Sequence, residues 1–396
     1  MTLRYTPDEE LLAECRRRSL ELLRANCTPH GFLAATRTKK ATERHYASIF
    51  GRDAAICAIG ACATREPDLV QGARDSLLTL ARFQAVNGQI PKFVKPETEE
   101  SDFWYSGCID ATLWWLIGVK AYDRLAEGGL QEELGLRVER AIHWLLCQEH
   151  QTWRLLQQNE ASDWADIMPR SGFVLYTNAL WYRVKRLYGL PGADETRDYA
   201  NFLFHPYDNT VAANRRARLL AHYIRRHSRP SDFYLSFVNF SFWGEEGDIF
   251  GNVLAALAGI PDSSRSGRIA SAVTACGAAS PYPVRAVAKP LAQKDPLWRR
   301  YMERHRQNLP YCYHNGGSWP FIGGFWGILL WRMGKKNEAL QALEGVARAS
   351  RVNGWEFNEW FNGESGEPSG MPGQSWNAAL FLAAWCEMRE GIRAFD

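Results

Sequence analysis

Gln374-Ser-Trp-Asn-Ala-Ala-Leu-Phe-Leu-Ala-Ala-Trp-Cys-Glu-Met-Arg-Glu390 is the stretch that decides the fold. Leu380, Phe381 and Leu382 supply apolar bulk. Ala378, Ala379, Ala383 and Ala384 are small enough for other helices to press against this one from every side. A surface helix keeps one polar face. Residues 374–390 therefore predict an inner helix ringed by neighbours.

Helical spacing recurs along the chain. The first helix is expected to open with Thr6 as N-cap, Pro7 in the first turn and Glu9 completing a capping box. Leu11, Leu12, Cys15, Leu22 and Leu23 then share a face. Residues 67–85 repeat this logic with Leu69, Val70, Ala73, Leu77 and Leu80, and Asn87-Gly88 is expected to stop that helix. Residues 133–147 carry Val138, Ala141, Ile142, Leu145 and Leu146. Further helices are expected near 53–64, 107–126, 174–188, 211–227, 247–258, 266–277, 318–333, 335–349 and 374–390. Alternating β-branched runs are nearly absent, so no sheet is expected. No Pro/Gly/Ser-rich linker divides the chain. The expectation is all-α: one (α/α)6 toroid over residues 1–396, an inner ring of helices wrapped by an outer ring. A helical solenoid would show a clearer period.

Composition removes several function classes. The 396 residues are 46% hydrophobic and 13% aromatic, which supports a large core and excludes disorder. With 47 basic and 44 acidic residues the net charge is +3, too near balance to argue for nucleic acid or an anionic membrane as partner. The basic run Arg215, Arg216, Arg218, Arg225, Arg226 and Arg229 reads as a solvated face or an intersubunit surface, the latter implying a homo-oligomer. The nine cysteines show no metal-site spacing. Several sit in apolar helical patterns as small core residues, which fits a reducing, cytoplasmic setting. Met1 to Glu10 has no signal-peptide apolar run, and no stretch is long enough to span a membrane. No histidine pair stands at metal spacing, so neither a metal nor a cofactor is expected.

The chemistry sits in polar, aromatic loops that precede helices. In a toroid such loops gather at one mouth. Two of them carry carboxylates among apolar side chains: Ala161-Ser-Asp-Trp-Ala-Asp166-Ile-Met-Pro-Arg170 and Gly354-Trp-Glu-Phe-Asn-Glu359-Trp-Phe-Asn-Gly-Glu-Ser-Gly366. Loss of water raises a carboxyl pKa, as a proton donor at neutral pH requires. Glycoside hydrolysis uses such a pair. Asp166 and Glu359 are the candidates, with Asp163 and Glu356 as rivals. Arg52-Asp53 can grip a vicinal diol through charge-assisted hydrogen bonds, although Asp53 could equally cap the helix that follows. His314-Asn-Gly-Gly-Ser-Trp-Pro320 offers backbone approach, polar groups and an indole. Trp104, Trp164, Trp319, Trp355 and Trp360 are hard to explain by packing, and pyranose faces stack on such rings.

These loops resemble known families. Tyr313-His-Asn-Gly-Gly-Ser-Trp-Pro320 is similar to the corresponding segment of the alkaline/neutral invertases. Tyr105-Ser-Gly-Cys-Ile-Asp-Ala-Thr-Leu-Trp-Trp115 and Gly88-Gln-Ile-Pro91 resemble the amylo-α-1,6-glucosidase domains of glycogen-debranching enzymes. Phe50-Gly-Arg-Asp53 resembles the sugar-gripping Arg-Asp of those families and of glucoamylases. The resemblance implies an inverting (α/α)6 glycoside hydrolase. By position it makes Asp166 the general acid and Glu359 the general base. It also implies that Arg52, Asp53, Asp110, His314 and Trp319 contact the sugar, and Trp360, one of the loop indoles, is a further substrate-contact candidate. A small soluble α-glucoside is the expected substrate: sucrose first, then a short α-1,6-glucoside or a glucosyl solute. A sugar epimerase or isomerase, or a non-catalytic carbohydrate-binding toroid, are the alternatives.

Overall fold

Six helices that are buried almost all round line the centre: Gly51–Thr64, Ile109–Leu125, Leu175–Tyr188, Ile249–Ala258, Pro320–Arg332 and Ser375–Glu390. Each touches the next, and the last returns to the first, so the ring closes. The computed structural model describes residues 5–105, 107–126, 128–208 and 214–396. Alanine and glycine make the closure sterically feasible. A Cβ on Gly60 would stand 2.3 Å from the carbonyl oxygen of Ala379, and one on Gly324 would stand 2.9 Å from that of Leu380. The 375–390 helix is the inner element that its alanines predict, with both flanking backbones close against it.

The outer helices are amphipathic. Pro67–Arg82 buries Leu69, Gly72, Ala73, Ser76, Leu77, Leu80 and Ala81, and exposes most of the rest. Glu9–Asn26, Gly135–Leu146, Ala193–Phe204, Ser263–Ala275 and Lys336–Trp355 complete this layer, with Arg215–His227 added beside Ala193–Phe204. Tight left-handed turns at Arg65, Gly189 and Gly259 end three of the inner helices. Longer loops lead from the outer helices back to the inner N-termini. Those loops therefore share one mouth.

Several expectations need correction. Asp8, not Thr6, caps the first helix: its side chain accepts from the Leu11 amide at 2.9 Å. The second outer helix ends at Arg82, before Asn87-Gly88, and Gly88 instead turns the following loop at φ 100°. Ala193–Phe204 is a helix beyond those expected, although Asp194 and Glu195 mark its first turn after Gly192. The start of the helix expected at 211–227 falls partly outside the described residues, and the described helix begins at Arg215. Short strands also occur. Ile49–Phe50, Phe93–Lys95 and Glu100–Asp102 form one antiparallel sheet, and Gln157–Gln158, Gly172–Val174 and Phe237–Val238 another. They staple neighbouring loops at the mouth.

Aromatic rings fill the barrel below the mouth. Phe321 stacks on Trp376 at 4.0 Å and meets Phe250 edge-on at 5.2 Å, while Trp164 meets Trp319 edge-on at 5.5 Å. Such pairs add to area burial. Gly60→Leu should destabilise the protein by about 1–3 kcal/mol or block folding outright, because a side chain there drives two inner backbones apart. Urea unfolding followed by circular dichroism checks this.

Candidate active site

The proposed catalytic and sugar-contact side chains lie at the N-terminus of an inner helix or in the loop that leads into it. Arg52 and Asp53 open the 51–64 helix, and Asp110 opens the 109–125 helix. Asp166 precedes the 175–188 helix, His314 and Trp319 precede the 320–332 helix, and Glu359 and Trp360 precede the 375–390 helix. The remaining corner holds Asp248, next to the 249–258 helix.

Asp166 meets side chains from two other loops. Its Oδ2 accepts from Lys92 Nζ at 2.8 Å, and its Oδ1 lies 3.9 Å from His314 Nδ1. Lys92 is buried, with its ammonium 3.2 Å from the centre of the Trp104 ring. Trp104 in turn donates to the Ala161 carbonyl, at the start of the Asp166 loop. Burial pushes the Asp166 carboxyl up, but nearby positive charge, the Lys92 ammonium foremost, outweighs it and holds the group below its ordinary value. His314 is stacked on Trp319 and pushed down to about 3, by burial first, so its ring stays neutral.

Glu359 lies in a different environment. Tyr46 Oη donates to its Oε1 at 2.8 Å, and the Met371 amide donates to its Oε2 at 2.9 Å. Burial pushes its carboxyl up to about 7; these two hydrogen bonds oppose the shift, and the charges of Asp53 and Asp166 reinforce it. The two carboxyls thus have opposite tendencies at one mouth, the pattern that separates acid from base in paired sites.

The rivals separate by geometry. Glu356 is exposed and accepts from Asn353, and Glu364 is exposed as well. Asp163 is buried, but its oxygens are occupied by the Ala165 amide at 2.8 Å and Gln158 Nε2 at 2.9 Å. It shapes the loop that presents Asp166. Beneath that loop, the buried Arg170 guanidinium lies 3.2 Å from Asp248 and 3.5 Å from Glu246, linking two corners of the mouth.

The sugar-contact candidates divide. Arg52 bonds Asp110 at 2.9 Å and lies 3.6 Å from Asp53. Asp110 is fully enclosed and also accepts from Tyr176 Oη at 2.8 Å and Cys108 Sγ at 3.1 Å. It holds Arg52 in place instead of facing the pocket. Asp53 is pushed up to about 6, chiefly by burial. Trp319 is also buried; its Nε1 donates to the Tyr313 carbonyl and its ring supports His314. Trp164 is core as well, so neither indole is a free platform, contrary to expectation. Trp360 is nearly buried, 6.0 Å from the Tyr313 ring. Trp355 lies beside Leu11, Glu14 and Arg351, among the outer helices. Lys92, Tyr46 and Tyr176 join the site without having been candidates on sequence. Lys92 had one available signal, its position between Pro91 and Phe93 in a loop rich in turn residues.

Known proteins resemble this chain in part of its sequence and in its fold. The glycoside hydrolase family 100 profile, alkaline and neutral invertase, matches residues 240–390, which include His314, Trp319 and Glu359. Alkaline/neutral invertase C, mitochondrial, of Arabidopsis thaliana is 33% identical over 98 residues, covering 24% of this chain and 14% of that protein. Among solved structures, the family 63 mannosylglycerate hydrolase of Thermus thermophilus, in complex with Tris and D-glycerate, superposes with a TM-score of 0.63. It is 16% identical and covers 94% of this chain and 99% of its own. A glycosidase in complex with glucose superposes at 0.65, with 15% identity over 98% of this chain and 100% of its own. All three comparisons fall on glycoside hydrolases: the C-terminal segment is similar to the alkaline and neutral invertases, and the closed helical ring has the fold of the family 63 glycosidases.

Proposed function

We propose that the protein is an inverting glycoside hydrolase acting on a small α-glucoside, with Asp166 as general acid and Glu359 as general base. One observation carries the reading. Two carboxyls from distant loops meet at one mouth, near enough for the charge of Asp166 to act on Glu359. In an inverting reaction the acid protonates the departing oxygen while the base draws a proton from water on the opposite face, with the carboxyls about 6.5–9.5 Å apart. Arg52 and Asp53 would orient the sugar. Sucrose is the first candidate, because the His314–Trp319 segment and the 240–390 match both point to the invertases. A short α-1,6-glucoside or a glucosyl solute follows. The buried Lys92 ammonium beside the proposed acid, together with the likeness to a mannosylglycerate hydrolase, favours an anionic leaving group among the solutes. His314, pushed down to about 3, is too weak a base for an epimerase, whose usual chemistry asks for basic histidines, and this speaks for hydrolysis. The nine free thiols suit a reducing compartment, and we place the protein in the cytoplasm.

The side-chain environments alone favour a proton on Glu359 and a charge on Asp166, the reverse of the roles. For Asp166 to act as the acid, the bound substrate has to draw Lys92 away and so remove the charge that holds Asp166 ionised. The coupled pair gives one bell-shaped pH profile whichever member carries the proton. The Lys92 bond also favours a second reading, with the roles exchanged.

Leaving-group chemistry separates the two. Asp166→Asn should lower sucrose turnover by about 10²–10⁴-fold yet keep most activity on α-glucosyl fluoride, which needs no acid. Glu359→Gln should lose activity on both. The opposite pattern assigns the roles in reverse, and near-normal turnover by both variants leaves the pair without a role.

Stability offers an independent check on Glu359. Its carboxyl is raised from 4.5 to about 7 in the folded state. The native protein therefore holds a proton that the unfolded chain releases, and the resulting stability is lost as pH rises from about 4.5 through 7. Glu359→Gln should melt close to the wild type at pH 5 and above it at pH 8, by calorimetry.

A further inference from the structure

The basic run takes no part in this site, and the structure gives it a separate use. The Arg215–His227 helix packs Ala217, Ala221 and Ile224 inward. On its outward face, Leu219 and Tyr223 form a ridge, 57% and 48% exposed. At helical spacing, Arg215, Arg216 and Arg226 flank that ridge within about 60°. These three, with Arg225 and Arg229, form no ion pair among the described residues. The nearby acids are engaged elsewhere: Asp208 with Arg265, Asp232 with Arg268, and Glu245 with the Trp243 indole.

A hairpin tip adjoins the helix. Val238 bridges Trp243, the Asn239 amide bonds the Phe242 carbonyl at 2.8 Å, and Phe240 and Phe242 project at 87% and 43% exposure. The Tyr223 and Trp243 rings meet edge-on at 5.7 Å, so hairpin and helix share one surface. Four of the eight large apolar side chains exposed on the described protein lie here, two of them on the same helix as Arg215, Arg216 and Arg226. Exposed apolar clusters of this kind mark interaction surfaces.

We propose that this face docks on a bilayer carrying anionic headgroups. The apolar tips enter the interface, and the guanidinium groups take lipid phosphates in bidentate fashion. Each arginine near such a surface adds to binding, and salt weakens it. Four protruding apolar side chains favour a bilayer over a nucleic acid, which the arginines alone would also attract. The near-neutral charge of the whole chain, on which the expectation of no membrane partner rests, averages this face away. The proposal is independent of glycoside hydrolysis.

Sedimentation of the full chain with vesicles tests it. Phosphatidylcholine vesicles containing about one-third phosphatidylglycerol should carry the protein down at low salt, and pure phosphatidylcholine should not. Arg215→Glu/Arg216→Glu/Arg226→Glu should weaken binding at least tenfold, and so should Phe240→Ser/Phe242→Ser, with the melting of both variants unchanged. Failure of the wild type to sediment with anionic vesicles overturns the proposal. So does binding that is insensitive to the phenylalanine changes and matched by a duplex oligonucleotide, which would mark a plain polyanion site.

Discussion

Close approach of six inner backbones is the constraint on which everything else depends. Where helices meet at glycine and alanine, as Gly60 does against Ala379, the ring can close without a wide central channel. Closure puts all six inner N-termini at one mouth. Their aligned dipoles make that mouth hospitable to carboxylates. A single oversized residue at the Gly60 contact would spread the mouth as well as loosen the core.

The same packing sets the electrostatics. Aromatic rings seal the barrel below the pocket, so the charged groups above them lie in a poorly hydrated layer where a partner decides ionisation. Lys92 is such a partner for Asp166. Glu359 has only neutral donors, Tyr46 and the Met371 amide, and burial dominates there. Arg170 does for the loop what Lys92 does for the side chain: placed between Asp163, Glu246 and Asp248, it fixes the segment that ends in Asp166. A pocket built this way can bring two carboxyls to different tasks.

Much of this was legible in the sequence, because helical periodicity and small-residue composition are local signals. The inner helices announce themselves by having no polar face, and the outer ones by having one. The helix Ala193–Phe204 escapes because Pro191-Gly192 reads as the beginning of a loop, which hides the acidic first turn behind it. Thr6 and Asp8 compete as caps within three residues, and the carboxylate nearer the first turn prevails. The site was legible as loops and less so as contacts. Asp166 and Glu359 stand out beside aromatic residues, but the Lys92 and Tyr46 bonds join segments 74 and 313 residues apart and leave no local trace. Trp164 and Trp319 mislead for a related reason. A tryptophan in a loop looks like a platform until the loop folds over the barrel axis and turns the ring into core.

The central claim is that a protonated carboxyl and a water-activating carboxyl act from opposite sides of an α-glucosidic bond. Proton NMR of the first sugar released from an α-glucoside, recorded before mutarotation, tests it most directly. The account predicts β-glucose, the inverted anomer. Release of α-glucose would contradict it, since retention requires one carboxyl to attack the sugar itself.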